Sequence, residues 1–215
     1  MTVALFVGSP RTRSNTRSMA TFLRDGLEAR GEDVATLDPT SARPDADSFI
    51  SQSVDVLRDA DVLVILAPVY LDAPPHVTLE WLHALWKRRD SLDGASIDVY
   101  AVSHSGYFDP VHKLVSLEAY QHFCRKMGWT WRGGLAFGGT SPIDGQPLQE
   151  AGPFAKRPRS ALERLAQLIG EGRPVPAELT REAGKPPIPL PKRLVVWIMN
   201  AVIRKAERKR RRASP

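Results

Sequence analysis

One cysteine in 215 residues, Cys124, rules out an intramolecular disulfide and any metal or iron–sulfur cluster built on cysteine within one chain. The first residues do not run from a basic segment through an apolar stretch to a cleavage site, because Val3 to Val7 passes straight into a polar loop. With so few thiols and no secretion signal, a cytoplasmic location is expected. The longest apolar stretch near the end of the chain, "LVVWIM" followed by "AVI", is too short to span a bilayer. Three chemical signatures are also missing: the phosphate-binding G-x-x-x-x-G-K-[ST], the dinucleotide-binding G-x-G-x-x-G, and the nucleophile elbow G-x-S-x-G. Their absence argues against a P-loop nucleotidase and a serine hydrolase. Glu80 and His83 make one E-x-x-H pair, and Glu118 and His122 can share a helix face, but a di-metal bundle needs two such motifs and further inward carboxylates, so no metal site is expected.

Charge is present but unevenly spread. The formal net charge is +6, yet residues 185–215 hold ten Lys or Arg against one acidic residue, which leaves the first 184 residues slightly negative. The basicity belongs to the tail, so a nucleic-acid footprint on the body of the protein is not expected. Hydrophobic residues make up 42% and charged residues 25%, an ordinary globular balance in a chain long enough to bury a core.

Short apolar runs alternate with helix-period stretches. Strands are expected at 2–7, 33–38, 60–67, 97–103 and 129–139, and helices at 16–30, 48–59, 76–88, 111–127 and 160–169. "ADVLVILA" is apolar enough to be covered on both faces, as in a parallel sheet. Strands alternating with helices predict an open, doubly wound α/β sheet, and ligands of such sheets bind beyond the carboxyl ends of the strands. Those ends are Gly8 to Thr16, Pro68 to Pro75 and Ser103 to Pro110.

The first of them, "GSPRTRSNT", combines backbone amides at a helix start with the hydroxyls of Ser9, Thr12, Ser14 and Thr16, the amide of Asn15 and the guanidinium groups of Arg11 and Arg13. Such a set suits a phosphate, since a helix N-terminus favours an anion. The plainer reading is a helix cap made by Ser14, Asn15 or Thr16.

Together with "APVYLDAPP" (67–75), this loop resembles the flavodoxin-like NAD(P)H-dependent FMN reductase family, and "SHSGYFDP", "FCRKMGWTWRGGLAFGG" and "IPLPKRL" resemble later segments of related oxidoreductases. The resemblance implies a five-stranded parallel sheet in the order 2-1-3-4-5, bound FMN, and NAD(P)H as electron donor. It assigns Ser9, Arg11, Ser14, Asn15 and Thr16 to the FMN phosphate, although Ser14 stands where many relatives carry glycine. Pro68, Val69, Tyr70 and Leu71 would lie along the flavin ring, and His104, Ser105, Gly106 and Tyr107 would close its pyrimidine side. Hydride would pass from NAD(P)H through the flavin to a small acceptor such as a quinone, a free flavin, a nitro or azo compound or a metal chelate. A non-enzymatic electron carrier and a cofactor-free adaptor acting through the basic tail are the alternatives.

Three segments follow from composition: a domain at 1–171, a proline-rich extended strap at 172–191, and a basic C-terminal helix and tail at 192–215. Packing of the tail on its own domain or in a homodimer is the first expectation, contact with an anionic membrane surface the second, and binding of nucleic acid by the terminal arginines the third. The loop at 139–158 reads either as a lid over the site or as a connection without structure. Cys124, in an apolar helical stretch, is expected to be a buried structural thiol.

Overall fold

The protein is described by a computed structural model that covers residues 1–39, 46–70, 72–107 and 111–185. Five strands, β1 (Thr2–Val7), β2 (Asp33–Leu37), β3 (Val62–Pro68), β4 (Asp98–His104) and β5 (Thr130–Phe137), form one parallel sheet in the order β2-β1-β3-β4-β5. The expected order is therefore observed. Among the described residues six α-helices connect and follow them: α1 (Asn15–Glu28), α2 (Asp47–Arg58), α3 (His76–Lys87), α4 (Val111–Met127), α5 (Lys156–Gly170) and α6 (Ala177–Gly184).

Alternate residues of the strands feed two cores. Val3, Leu5, Val7, Val64, Leu66 and Val102 face α1 and α5, and pack with Met19, Leu23, Leu27, Leu162, Leu165 and Ile169. Ala4, Phe6, Leu63, Ile65, Val99 and Ala101 face α2, α3 and α4. Every residue of β3 is buried, which is why its sequence is an unbroken apolar run with no polar alternation. On the second face Trp81 stacks on Phe6 with ring centroids 3.8 Å apart, and its indole N–H donates to Ser53 Oγ of α2 at 3.0 Å. Cys124 is buried and its thiol pKa is pushed up to about 12 by that burial, in keeping with a structural role.

The helices on either side of β1 lie on opposite faces, so the chain departs in different directions from the neighbouring carboxyl ends of β1 and β3 and leaves a crevice between them. The strap differs from its expectation. Residues 177–184 are helical, with Pro176 immediately before the first turn, a position where proline fixes a suitable φ without losing a needed hydrogen bond. This segment covers the outer edge of β5: Val175 N–H donates to Arg132 O at 2.7 Å and Thr180 Oγ1 to Gly134 O at 2.8 Å. The basic helix expected at 192–215 and the membrane contact assigned to it lie outside the described residues, as does Leu71. Among the described residues no helix is long and apolar enough to cross a membrane.

Candidate functional site

Four loops at the carboxyl ends of β1, β3, β4 and β5 enclose a cavity of about 500 Å³, a size ordinary for a small-molecule site. Ser9, Arg11, Ser14, Asn15 and Thr16 line it from the first loop, Pro68, Val69 and Tyr70 from the second, and His104, Ser105, Gly106 and Tyr107 from the third. Every described residue expected at the site therefore reaches one cavity. The fourth loop adds Thr140, Ser141, Asp144 and Gly145, which the sequence reading left undecided between lid and connection. The signal that could have found them is positional, because this loop too leaves the carboxyl end of a strand.

The first loop is built as a donor surface. Ser14 is extended, with φ −156° and ψ 155°, and its hydroxyl oxygen accepts from Arg17 N–H at 3.3 Å, so it is the helix cap of the plainer reading. Ser9, almost fully buried, likewise accepts from Arg11 N–H at 3.4 Å. In both cases the oxygen is the acceptor, which leaves each hydroxyl proton to be donated elsewhere. The amides of Asn15 and Thr16 begin the helix and have no acceptor within it. Arg17 is turned to Asp38, with Nε 2.9 Å from Oδ2, and also donates to Arg11 O, fixing the loop from outside the cavity.

Two of the expected phosphate ligands are engaged otherwise. Asn15 Nδ2 donates to Thr140 O at 2.7 Å while its Oδ1 accepts from Gly145 N–H at 2.7 Å, so both ends of the side chain tie the fourth loop to the start of α1. Thr16 is fully buried with its Oγ1 2.8 Å from His104 Nε2. The direction of that bond follows from its neighbours. Thr140 Oγ1 gives its one proton to Ser105 O at 3.0 Å, so towards His104 Nδ1, 3.3 Å away, it can only accept. Nδ1 then carries the ring proton, Nε2 is the acceptor, and Thr16 donates to it. Thr16 thus offers an anion its backbone N–H but not its hydroxyl proton. Burial lowers the His104 pKa to about 4, so the ring is neutral around pH 7 and acts as a strut between three loops.

The remaining walls are more open. Val69 N–H donates to His104 O at 2.8 Å and is buried, whereas Tyr70 stands 44% exposed at the head of a tight turn closed by reciprocal bonds with Ala73. Tyr107 is 73% exposed, and its carbonyl accepts from Gly139 N–H and from Ser105 Oγ. Gly106 lies close under the fourth loop: a Cβ there would fall 2.3 Å from Ser141 Oγ, so a larger residue would have to turn that hydroxyl away. Among the described residues no group of three or more His, Cys, Asp or Glu is placed to hold a metal ion.

The geometry can be set beside known proteins. A family model described as NADPH-dependent FMN reductase matches residues 1–122, which include the first three loops. A solved structure described as an NADH:FMN oxidoreductase in its apo form is 17% identical, covers 89% of this chain and 97% of its own, and has a TM-score of 0.61. An oxidoreductase from Corynebacterium diphtheriae is 23% identical, with 79% and 97% covered and a TM-score of 0.56. An NAD(P)H:quinone oxidoreductase from Methanothermobacter marburgensis is 15% identical, with 77% and 98% covered and a TM-score of 0.57. At these identities the likeness is one of fold. No curated protein sequence matches the chain.

Proposed function

The chain belongs to the NADPH-dependent FMN reductase family, whose members are NAD(P)H-dependent flavin oxidoreductases, and we propose that its four-loop cavity holds FMN with the phosphate on the β1–α1 loop. What supports the placement is the donor set that the first loop brings to the cavity: Ser9, Ser14, Arg11 and Arg13 line it, beside first-turn amides of α1 that have no acceptor within the helix. When bound there, FMN supplies hydride acceptance from NAD(P)H and its onward delivery. The chain supplies binding, orientation and shelter from water. Val69 and Tyr70 give the ring an apolar and aromatic wall, and Ser105 to Tyr107 close the opposite side. His104, Thr16 and Asn15 act one step back, holding the loops that make the contacts.

The acceptor in this reading is a small molecule that enters beside Tyr70 and Tyr107, such as a quinone, a nitro or azo compound, free flavin or a metal chelate. Membership of a reductase family favours the enzymatic reading over the electron carrier and the cofactor-free adaptor. A homodimer is proposed as the working form. Leu79 and Trp86 on α3 and Leu114 and Val115 on α4 are each 40–46% exposed on helices that share one face of the sheet, which suits a second copy of the chain.

An absorption spectrum and a fluorescence titration test the site, with wild type compared with Arg11→Ala. Flavin bands and binding that weakens about tenfold on the substitution, ~1.4 kcal/mol, are expected, together with NAD(P)H oxidation in the presence of a quinone. Absence of binding at tens of micromolar FMN, an affinity worse than about −6 kcal/mol, would overturn the reading.

A further inference from the structure

Resting on the flavin reading above and deepening it, we infer that Asp144 is a specificity-determining residue that weakens the hold on the FMN phosphate and keeps the flavin exchangeable. The first turn of α1 contains no acidic residue, as a phosphate-binding helix start requires. Among the described residues, the one carboxylate lining the cavity, Asp144, comes instead from the fourth loop, 125 or more residues further along the chain. Asn15 brings it there by holding Thr140 O and Gly145 N–H. Gly145 fits only because it is glycine: its φ is +66°, and a Cβ would lie 2.7 Å from Arg13 Cγ and 3.2 Å from Ser14 N. The neighbouring Asp144 carboxylate is 3.7 Å from Arg13 Nη2.

The obvious alternative is that this ion pair merely fastens the loop. Both side chains are largely exposed, 69% for Arg13 and 80% for Asp144, and pairs of that kind contribute little to stability. The two Asn15 bonds are the fastening. Nor does the backbone ask for a carboxylate, since Asp144 sits at φ 49°, a conformation that asparagine and glycine accept as readily. What the carboxylate does add is negative charge on the wall that also carries Ser9, Ser14 and the start of α1. It neutralises one of the two guanidinium groups available to a phosphate and repels a dianion. A site built to retain its flavin through many turnovers gains from the opposite charge at this position, whereas a site that takes up and releases FMN tolerates the carboxylate.

Fluorescence titration of FMN and riboflavin against wild type, Asp144→Asn and Asp144→Gly tests the inference. Both variants should bind FMN about threefold to tenfold more tightly, with riboflavin affinity unchanged, and the gap should narrow at about 0.5 M salt as charges are screened. FMN affinity that stays the same or falls would overturn it, as would equal tightening of FMN and riboflavin, which marks a packing effect, or a gap indifferent to salt. If wild type binds FMN and the variants match it, only the role of Asp144 falls. If none of the three proteins binds FMN, the flavin reading falls and this inference with it.

Discussion

His104 has room for one ring proton, not two. Its Nδ1–H is taken by Thr140, its Nε2 is filled by the Thr16 hydroxyl, and burial disfavours the charged ring. The folded pKa of about 4 lies below the ordinary value of 6.5, so as pH falls the unfolded chain takes up the proton first. The contribution to stability is complete above pH 6.5 and is lost progressively towards pH 4. Between pH 7 and pH 5 that loss is about 2 kcal/mol. Urea unfolding at the two pH values should show a smaller pH dependence in His104→Gln than in wild type, by roughly that amount; parallel dependences would show that the ring titrates normally in the fold. At this scale the sequence was legible for residue type and position but not for role. Asn15 and Thr16 read as phosphate ligands because their loop is local, while the partners that claim their side chains, Thr140, Gly145 and His104, lie 88–130 positions away. Only folding brings those acceptors within reach.

Helix α3 shows how an element serves the site without entering it. Its Thr78 hydroxyl donates to Gly8 O at 3.2 Å, at the start of the phosphate-facing loop, while Trp81, one turn on, is fully buried against Phe6 of β1. Replacing Trp81 by leucine removes the stack and the indole bond to Ser53, and should cost about 3 kcal/mol. Chemical denaturation of Trp81→Leu measures this, and a loss below about 1 kcal/mol would mean that α3 repacks freely. Elements of this kind were legible, since the buried strands and the amphipathic helices carry their periods openly. Helix α6 was not. Six prolines gave residues 172–191 the look of an extended strap, and eight residues are too few for a helix to declare itself by period. It forms because it packs on β5, a tertiary cause that local pattern does not contain.

At the scale of the whole molecule, four of the exposed large apolar side chains among the described residues, Leu79, Trp86, Leu114 and Val115, lie on α3 and α4. Introducing a charge with Trp86→Glu should shift the protein from dimer to monomer in sedimentation velocity, with the fold and the flavin site intact. A wild type that sediments as a monomer at tens of micromolar, an association weaker than about −6 kcal/mol, would remove the dimer from the proposal. The doubly wound architecture was readable because strand and helix patterns alternate from end to end. The strand order came from resemblance, because no local pattern says which strands are neighbours.

The cover over β5 bears on how the protein is made. Beyond β3 the sheet order follows the chain order, so β5 and its outer edge are the last part of the sheet to be synthesised. Residues 172–185 follow within a few seconds at ordinary rates of synthesis, about 5–20 residues per second. They seal the Arg132 and Gly134 carbonyls, which lie on an edge that another strand could otherwise pair with. A chain ending at residue 171 should therefore aggregate more readily than one ending at residue 185, because it leaves that edge open.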